Sequence, residues 1–555
     1  MTSQLSEAKC ILLTVAFASD ANIKALHAFT PTRLDVLDPR LVLRILLSFL
    51  PETVEPSVYT TYVREVASRI YLEQQEPYKV DTSAVDDISE QDAEKRVKKL
   101  DILELAPPLF PPHAPDDLLT GFLCHRASRI DSETGLLTLI PPLFVPFLDE
   151  NEYLRTWFIS VVIPMLRIRY EYYPDSEMPT TLRQFGDVRG LQGIELLLGR
   201  ATHARHEVTS ATDSVGTVGR DLRGLVGPWM YGHTDRKRRK LYEEKQGKKA
   251  KNAAQNSDAG GSQPDGRTGF IALEGVSEED KTDHEWEFAY VWMVHHAREN
   301  FPLVTNAIED WNGPGDVDLG GYEEKTTYLD ADTQSKLERQ YAQAAFASCY
   351  AVEADTSETI DGAHGILVRL AQLLDFEPPP ELATSVQQLP RIDKHAKLLH
   401  ASENTILLEP DVLLKPAHPL TTPTLESYML LQMLVYSAYQ LAGLGHSVSI
   451  VNVAKLRFFS DEDEQLTLLQ KVLHILGNKG KRDDSRWQHD YNTLMWLWNW
   501  NIEADEGALR GAGIFGKIDR VIIEKELLKA LVSSGCKSAD DILSADIEKI
   551  LHIAN

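Results

Sequence analysis

An all-α fold, an irregular α-solenoid of stacked helical hairpins, is what this 555-residue chain predicts. Three observations predict it. Short Leu-rich runs recur between Pro and Asp/Ser/Thr stops along most of the length. Almost nothing alternates apolar with polar residues as a half-buried strand does. No segment repeats at a fixed period, which separates the chain from ankyrin or tetratricopeptide arrays. One amphipathic helix leaves its apolar stripe in water, whereas many in series cover one another. Such an assembly offers surface to partners and has no inherent catalytic pocket.

The first apolar run, Cys10 to Ala18, ends in Ala16-Phe17-Ala18, which imitates a signal-peptide cleavage site. Its leader carries Lys9 against Glu7 and lacks a positive stretch, so the run reads as a first packing helix. The clearest element is Asp38-Pro39-Arg40-Leu41-Val42-Leu43-Arg44-Ile45-Leu46-Leu47-Ser48-Phe49-Leu50-Pro51. Asp38 is placed to cap the orphan amides of the first turn, and Pro39 sits where a missing N–H costs nothing. Leu41, Ile45 and Leu46 define the expected buried stripe, and the ring of Pro51 stops the run. Further helices are expected to start at Asp20, Pro56, Pro115 and Asn151. The last carries Trp157, Phe158, Ile159, Val161 and Val162 and then meets Pro164, which should kink it. Pro107-Pro108 and Pro111-Pro112 mark a rigid connector, and residues 81–90 read as a polar loop.

Composition shifts sharply over residues 232–283. Nine basic side chains against two acidic ones give +7 over residues 236–251, led by Arg236-Lys237-Arg238-Arg239-Lys240, and a Gly/Ser/Asn/Asp-rich tract follows. Too little apolar surface is present to offset ordering entropy, so this stretch is expected to be a disordered insert, and deleting residues 236–268 is expected to leave melting unchanged. The expected organisation is therefore a helical solenoid over 1–231, the insert, and a continuation over 284–555.

The second half resumes with the aromatic run Trp286 to Val294, and helices are expected at 333–352, 362–375, 423–442, 461–476, 486–501, 517–532 and 538–552. Ser460 with Asp463 reads as a capping box. The stretch Ser427 to Ala454 holds no formally charged side chain. Gln432, Ser437 and Gln440 interrupt it and Gly443 and Gly445 break it, so it reads as a helix buried among helices rather than a membrane span.

The net charge is −26, from 83 acidic and 57 basic residues. That balance argues against a general nucleic-acid binder, which needs a basic face. Cys10, Cys124, Cys349 and Cys536 are far apart and form no CxxC, the pattern of reduced buried thiols. Gly511-Ala512-Gly513-Ile514-Phe515-Gly516 matches G-x-G-x-x-G, but a dinucleotide site needs a buried strand before the glycines. Here Glu503 to Arg510 precedes them, so a helix-to-helix turn is expected. His203 with His206, and His284 with His295-His296, lack a further ligand at metal spacing. Adjacent Cys124 and His125 diverge by about 100° on a helix, poor geometry for a thiolate–imidazole pair. Trp487, Tyr491, Trp496, Trp498 and Trp500 form a dense aromatic set expected to pack in the core, with Trp496 and Trp500 on one face and Trp498 on the other. The basic cluster 236–240 resembles a nuclear-import signal or an anionic-membrane contact, and is most simply solvated. No catalytic, cofactor-binding or metal-ligating residue is assigned, and partner-binding residues stay unassigned.

Several strings resemble the fungal branch of the secretory pathway protein thirty-nine family, whose animal relative is the neuroblastoma-amplified sequence protein. They are Leu37 to Leu47 with Phe49-Leu50-Pro51-Glu52, Phe122 to Ala127 with Arg129-Ile130-Asp131, Trp157 to Val162, Glu171 to Pro174, Pro228 to Gly232, and Gly313 to Tyr322. The likeness runs from about residue 8 to the end, broken by the insert, and rests on the order and number of the strings. None of them encodes a reaction. The resemblance implies an α-solenoid subunit of the DSL tethering complex, peripheral on the cytoplasmic face of the endoplasmic reticulum and without a cofactor. It implies binding to endoplasmic-reticulum SNARE proteins and to a sister subunit that captures coatomer-coated vesicles returning from the Golgi. The chain is shorter than the family pattern and stops at Ile553-Ala554-Asn555 in helical character, so a partner surface in a missing C-terminal portion would lie outside it. The charge balance and basic cluster leave a second expectation, an acidic α-solenoid adaptor for nuclear transport or another cytosolic complex.

Overall fold

The computed structural model describes residues 5–72, 78–111, 114–176, 180–203, 217–233, 285–323, 329, 331–393, 395–400, 408–478, 484–502 and 510–533. Among these residues every regular element is helical and none is a strand, so the fold is an all-α solenoid of stacked helices. The basic segment 236–251, the Gly/Ser-rich tract, the helix expected at 538–552 and Cys536 lie outside the described residues. Of the expected insert, Gly232 and His233 are described, and they close the helix Gly227–His233.

Caps set the helix boundaries. Asp38 Oδ1 accepts the amides of Arg40 and Leu41 at 2.8 and 3.1 Å, and the helix Pro39–Phe49 follows, ending where Leu50 turns extended before Pro51. Its buried face is broader than the expected stripe, taking in Val42, Leu43, Ile45, Leu46 and Leu47 while Leu41 is half-buried, because neighbours pack on more than one side. Cys10 to Ala18 lies within the helix Glu7–Ser19. Asp20 ends that helix rather than starting the next, which Asn22 caps by accepting the Ala25 amide at 3.1 Å. The helix expected from Pro115 begins at Leu118, because Asp117 supplies the capping carboxylate.

The helix continues through Pro164. The chain runs Glu152–Trp157 (α), Phe158–Val162 (π), Ile163–Leu166 (α) and Arg167–Tyr172 (π), so wide turns absorb the proline's missing amide. The polar stretch 81–90 contains a single helical turn, Ser83–Asp86, and Ser89 starts the helix Glu90–Val97. In the second half the capping box is shifted by one residue. Asp461 Oδ1 accepts the Glu464 amide at 2.8 Å, and Glu464 Oε2 accepts the Asp461 amide at 3.3 Å. A carboxylate capping both ways displaces Ser460, and the helix is Glu462–Asn478. Several helices escape the sequence pattern, among them Glu90–Val97, Leu182–Asp187, Gly190–His203, those between Thr217 and His233, Phe301–Asp310 and Ile450–Phe458.

The chain divides into two compact units. The first comprises Met1–Leu197, Arg223–Glu285 and Val317–Leu329. Its helices Glu7–Ser19, Pro39–Phe49, Pro56–Ser68 and Leu118–Thr134 pack in succession, and the helix closing at His233 lies on Phe158–Val162. The second comprises Leu198–Leu222, Trp286–Asp316 and Asp330–Asn555. There Phe301–Asp310 packs on Ser357–Leu374, which packs on Leu425–Leu444. The uncharged stretch Ser427 to Ala454 is two helices, Leu425–Leu444 and Ile450–Phe458, joined through Gly445 at φ +96°. Among the described residues no helix is long and apolar enough to cross a membrane.

Candidate interaction surface

The glycine motif folds as a turn locked to the helix before it. The amides of Gly513 and Phe515 donate to the carbonyls of Trp498 and Leu497 at 2.8 and 3.3 Å. Gly511 donates to Gly516 at 3.0 Å and Gly516 to Gly513 at 3.1 Å. A Cβ on Gly511 or Gly513 would run into the carbonyl oxygens of Trp498 and Leu497, which is why small residues stand there. A phosphate cradle needs amides that point outward and free, and these point inward and are used. The turn leads to the helix Arg520–Ser533.

The other candidate groups also take structural places. Cys124 is buried, its thiol pushed well above the ordinary range by burial, and neighbouring His125 is pushed down by burial and by the charge of Arg183. His295 meets Asp411 at 3.0 Å, while the His296 ring donates to the Trp292 carbonyl at 3.0 Å and stacks on the Trp292 ring. His203 ends its helix, its side chain outside the described set together with His206 and His284. Among the described residues no group of three or more His, Cys, Asp or Glu is placed to share a metal ion. Trp487, Trp496, Trp498 and Trp500 are all buried, and Tyr491 is half-buried. The split of faces is not kept, because the helix ends at Asn499 and Trp500 turns to φ +49°, its indole N–H donating to Ser437 Oγ at 3.0 Å.

The strings singled out in the sequence meet one another. Arg126, fully buried, donates to the carbonyls of Leu50 and Pro51 at 2.7 and 2.6 Å, so the Phe122 to Ala127 string closes the end of the Asp38 helix. Arg129 adds an ion pair to Glu52 at 2.7 Å. Arg167 donates to the Gly224 and Asp318 carbonyls, both at 2.7 Å. Tyr322 packs edge-on against Phe158 with centroids 4.9 Å apart, and Gly320, at φ +76°, lies where a Cβ would stand 2.8 Å from Ile163. Arg126 and Arg167 therefore act as joints, buried guanidinium groups satisfying carbonyls left over at helix ends and turns.

What the frame leaves open are clefts. The first unit has one of about 540 Å³ beside residues 103–110, and the second has one of about 780 Å³ floored by Ile360, Val386 and Leu444. One wall of the first cleft, Leu182–Asp187, is a helix the sequence pattern missed. Its signal was the capping box Thr181-Leu182-Arg183-Gln184, in which each partner's side chain holds the other's amide.

Among curated proteins none matches the chain. The family model for secretory pathway protein Sec39 matches residues 11–551, nearly the whole length, and thus spans both units and every joint described above. The chain belongs to the secretory pathway protein Sec39 family.

Proposed function

We propose that this protein is a non-enzymatic scaffold subunit of a multisubunit vesicle-tethering complex, the DSL complex, at the endoplasmic reticulum. It acts in Golgi-to-endoplasmic-reticulum retrograde transport by binding SNARE proteins and a sister subunit that engages coatomer-coated vesicles. The observation that carries this reading is the family match over residues 11–551 on a frame whose regular elements, among the described residues, are all helices. The protein sits on the cytoplasmic face of the membrane and is held there through its partners.

The mechanism is geometric. A frame with rigid joints holds one partner near another, and the linked pair meets its target at an effective concentration that free components do not reach. Contacts of the helix-in-groove kind suit stacked helices, and a net charge of −26 favours basic partner faces and steers their approach. Affinity capture of the full chain from native endoplasmic-reticulum membranes tests the reading. SNARE proteins and tether subunits are expected to co-purify, and a preparation that recovers none of them removes it.

A further inference from the structure

The first unit carries a stretch without a charged side chain, Thr134 to Leu148. Within it Leu137–Leu139, Ile140–Phe144 and Val145–Phe147 follow one another as a single run of helical turns, packed on Pro56–Ser68 and Leu118–Thr134. The inner face of the run, Leu137, Ile140, Leu143, Phe144 and Phe147, is buried. Thr138, Pro141, Pro142, Val145 and Pro146 recur at helical spacing on the outer face, where the first two prolines are half-buried and the others exposed. A helix apolar on every side is ordinarily covered on every side, and this one is covered on one. Val145 stands 48% exposed. Leu136 and Tyr170, also exposed, widen the patch, and the Tyr170 hydroxyl donates at 3.2 Å to the carbonyl of Gly135, the residue before Leu136. The prolines have no amide to donate, so a partner gains here from apolar contact rather than from backbone pairing.

The two ends of this face are acidic. Glu133 precedes the uncharged stretch and Asp149 follows it, four residues beyond Val145 on the same face; both are exposed and, among the described residues, without an ion pair. The cations beside the run are engaged. Arg64 donates to the Pro146 carbonyl, lies over the Phe147 ring at 4.9 Å and pairs with Glu150 at 3.8 Å. Arg155, buried, donates to the carbonyls of Leu148 and Asp149 at 2.8 and 3.3 Å, and Arg169 pairs with Asp131 at 3.0 Å. Acidic ends repel an anionic membrane. A second copy paired about a two-fold axis would set these acids against their own kind. A basic partner meets both the apolar centre and the acidic ends.

We propose that the outer face of Leu137–Phe147 docks a helix of a partner protein whose apolar stripe is flanked by Lys or Arg. The stripe lies on Leu136, Pro142, Val145 and Tyr170, and the flanking cations meet Glu133 and Asp149. The site rests on the scaffold reading and deepens it by naming a partner chemistry. Its test uses defined peptides, so its failure is distinct from a failure to co-purify tether subunits.

The test is fluorescence polarisation of the full chain with two dye-labelled helical peptides, one carrying a Leu stripe flanked by Lys and one with every Lys changed to Glu. Saturable binding of the Lys peptide is expected, with the Glu peptide weaker by about tenfold or more. Val145→Asp and Leu136→Asp, at exposed positions, are each expected to weaken the Lys peptide by about tenfold with unchanged melting, although each adds an acid. General attraction to an acidic chain predicts the opposite sign. Glu133→Lys combined with Asp149→Lys is expected to weaken the Lys peptide by about tenfold as well. No saturable binding, equal binding of the two peptides, or undiminished binding by both aspartate variants would overturn the proposal. So would dimerisation of the chain, or sedimentation with phosphatidylcholine vesicles, that Val145→Asp abolishes while the Lys peptide fails to bind.

Discussion

Arg167 and Asp318, 151 residues apart in sequence, meet through two contacts of 2.7 Å, one to the backbone carbonyl and one to the carboxylate. Burial pushes the Asp318 carboxyl up, but the Gly320 amide and the Arg167 guanidinium outweigh it and hold the carboxyl below its ordinary value. Arg167 is itself buried and also serves the Gly224 carbonyl. Arg167→Ala therefore strands two carbonyls and is expected to cost about 3 kcal/mol. Asp318→Ala removes only a half-exposed carboxylate and should cost about 1 kcal/mol or less. Urea unfolding followed by tryptophan fluorescence checks the order, and a larger loss for the aspartate would contradict this account.

A second joint makes a sharper prediction, because nothing at Arg126 is exposed to solvent. Its guanidinium serves Leu50 and Pro51, lies 3.7 Å from Glu52 and sits 5.6 Å from the centre of the Tyr59 ring. Arg126→Ala should cost about 3 to 5 kcal/mol, and Tyr59→Phe about 1 kcal/mol or less. Partial proteolysis should then cut first near residue 50, where the helix end loses its partner.

Gly513 and Gly443 form a matched pair for calorimetry. A methyl on Gly513 meets the Leu497 carbonyl, whereas one on Gly443 meets nothing within 4 Å. Gly513→Ala is expected to destabilise by about 2 kcal/mol or more, since backbone must move. Gly443→Ala, inside the helix Leu425–Leu444, should be neutral or stabilising by about 0.5 to 1 kcal/mol. Because the turn's amides are already used, ATP, NAD and GTP should leave the melting temperature unchanged; a concentration-dependent rise would reopen the nucleotide reading.

The pH response follows from His233. Its ring lies 4.6 Å from Phe110 and 4.4 Å from Trp229, centre to centre, and burial, reinforced by the charge of Arg189, pushes its imidazole down to about 3 from 6.5. The folded chain keeps this group neutral while the unfolded chain takes a proton below about pH 6.5. The stability it contributes is complete above that pH and declines as the pH falls toward 3. Glu285, 3.9 Å away, is pushed upward by burial against the opposing Gly190 amide and Arg189 charge. Raised in this way, it favours the folded state most below 4.5, an advantage lost as the pH rises through its folded value. His233→Gln removes the first effect alone. Melting temperatures from pH 7 to 5 should fall less steeply in the variant than in the wild type, and parallel slopes would sink the idea that this histidine is buried neutral.

Much of the helical frame was legible because its signals are local. Asp38 caps its helix through amides two and three residues away, and Pro51 acts on the turn before it. Where two local signals competed, the reading slipped by a few residues, as at Asn22 over Asp20 and Asp461 over Ser460, because the better-placed acceptor wins the amides. The cleft was not legible. Its walls come from residues 103–110, Leu118–Thr134 and Leu182–Asp187, and no periodicity says that these stretches converge.

By itself, then, the amino-acid sequence determined that the regular elements of the described residues are helices, that its glycine motif is a turn, and which strings mark its family. Each of those follows from capping, steric and pattern effects acting within a few residues. Only the tertiary structure decided that Arg126 and Arg167 are the joints and that His233 faces Glu285. Those outcomes depend on which carbonyls and charges are brought together after the apolar faces have packed, over separations of 50 to 150 residues that local pattern does not encode.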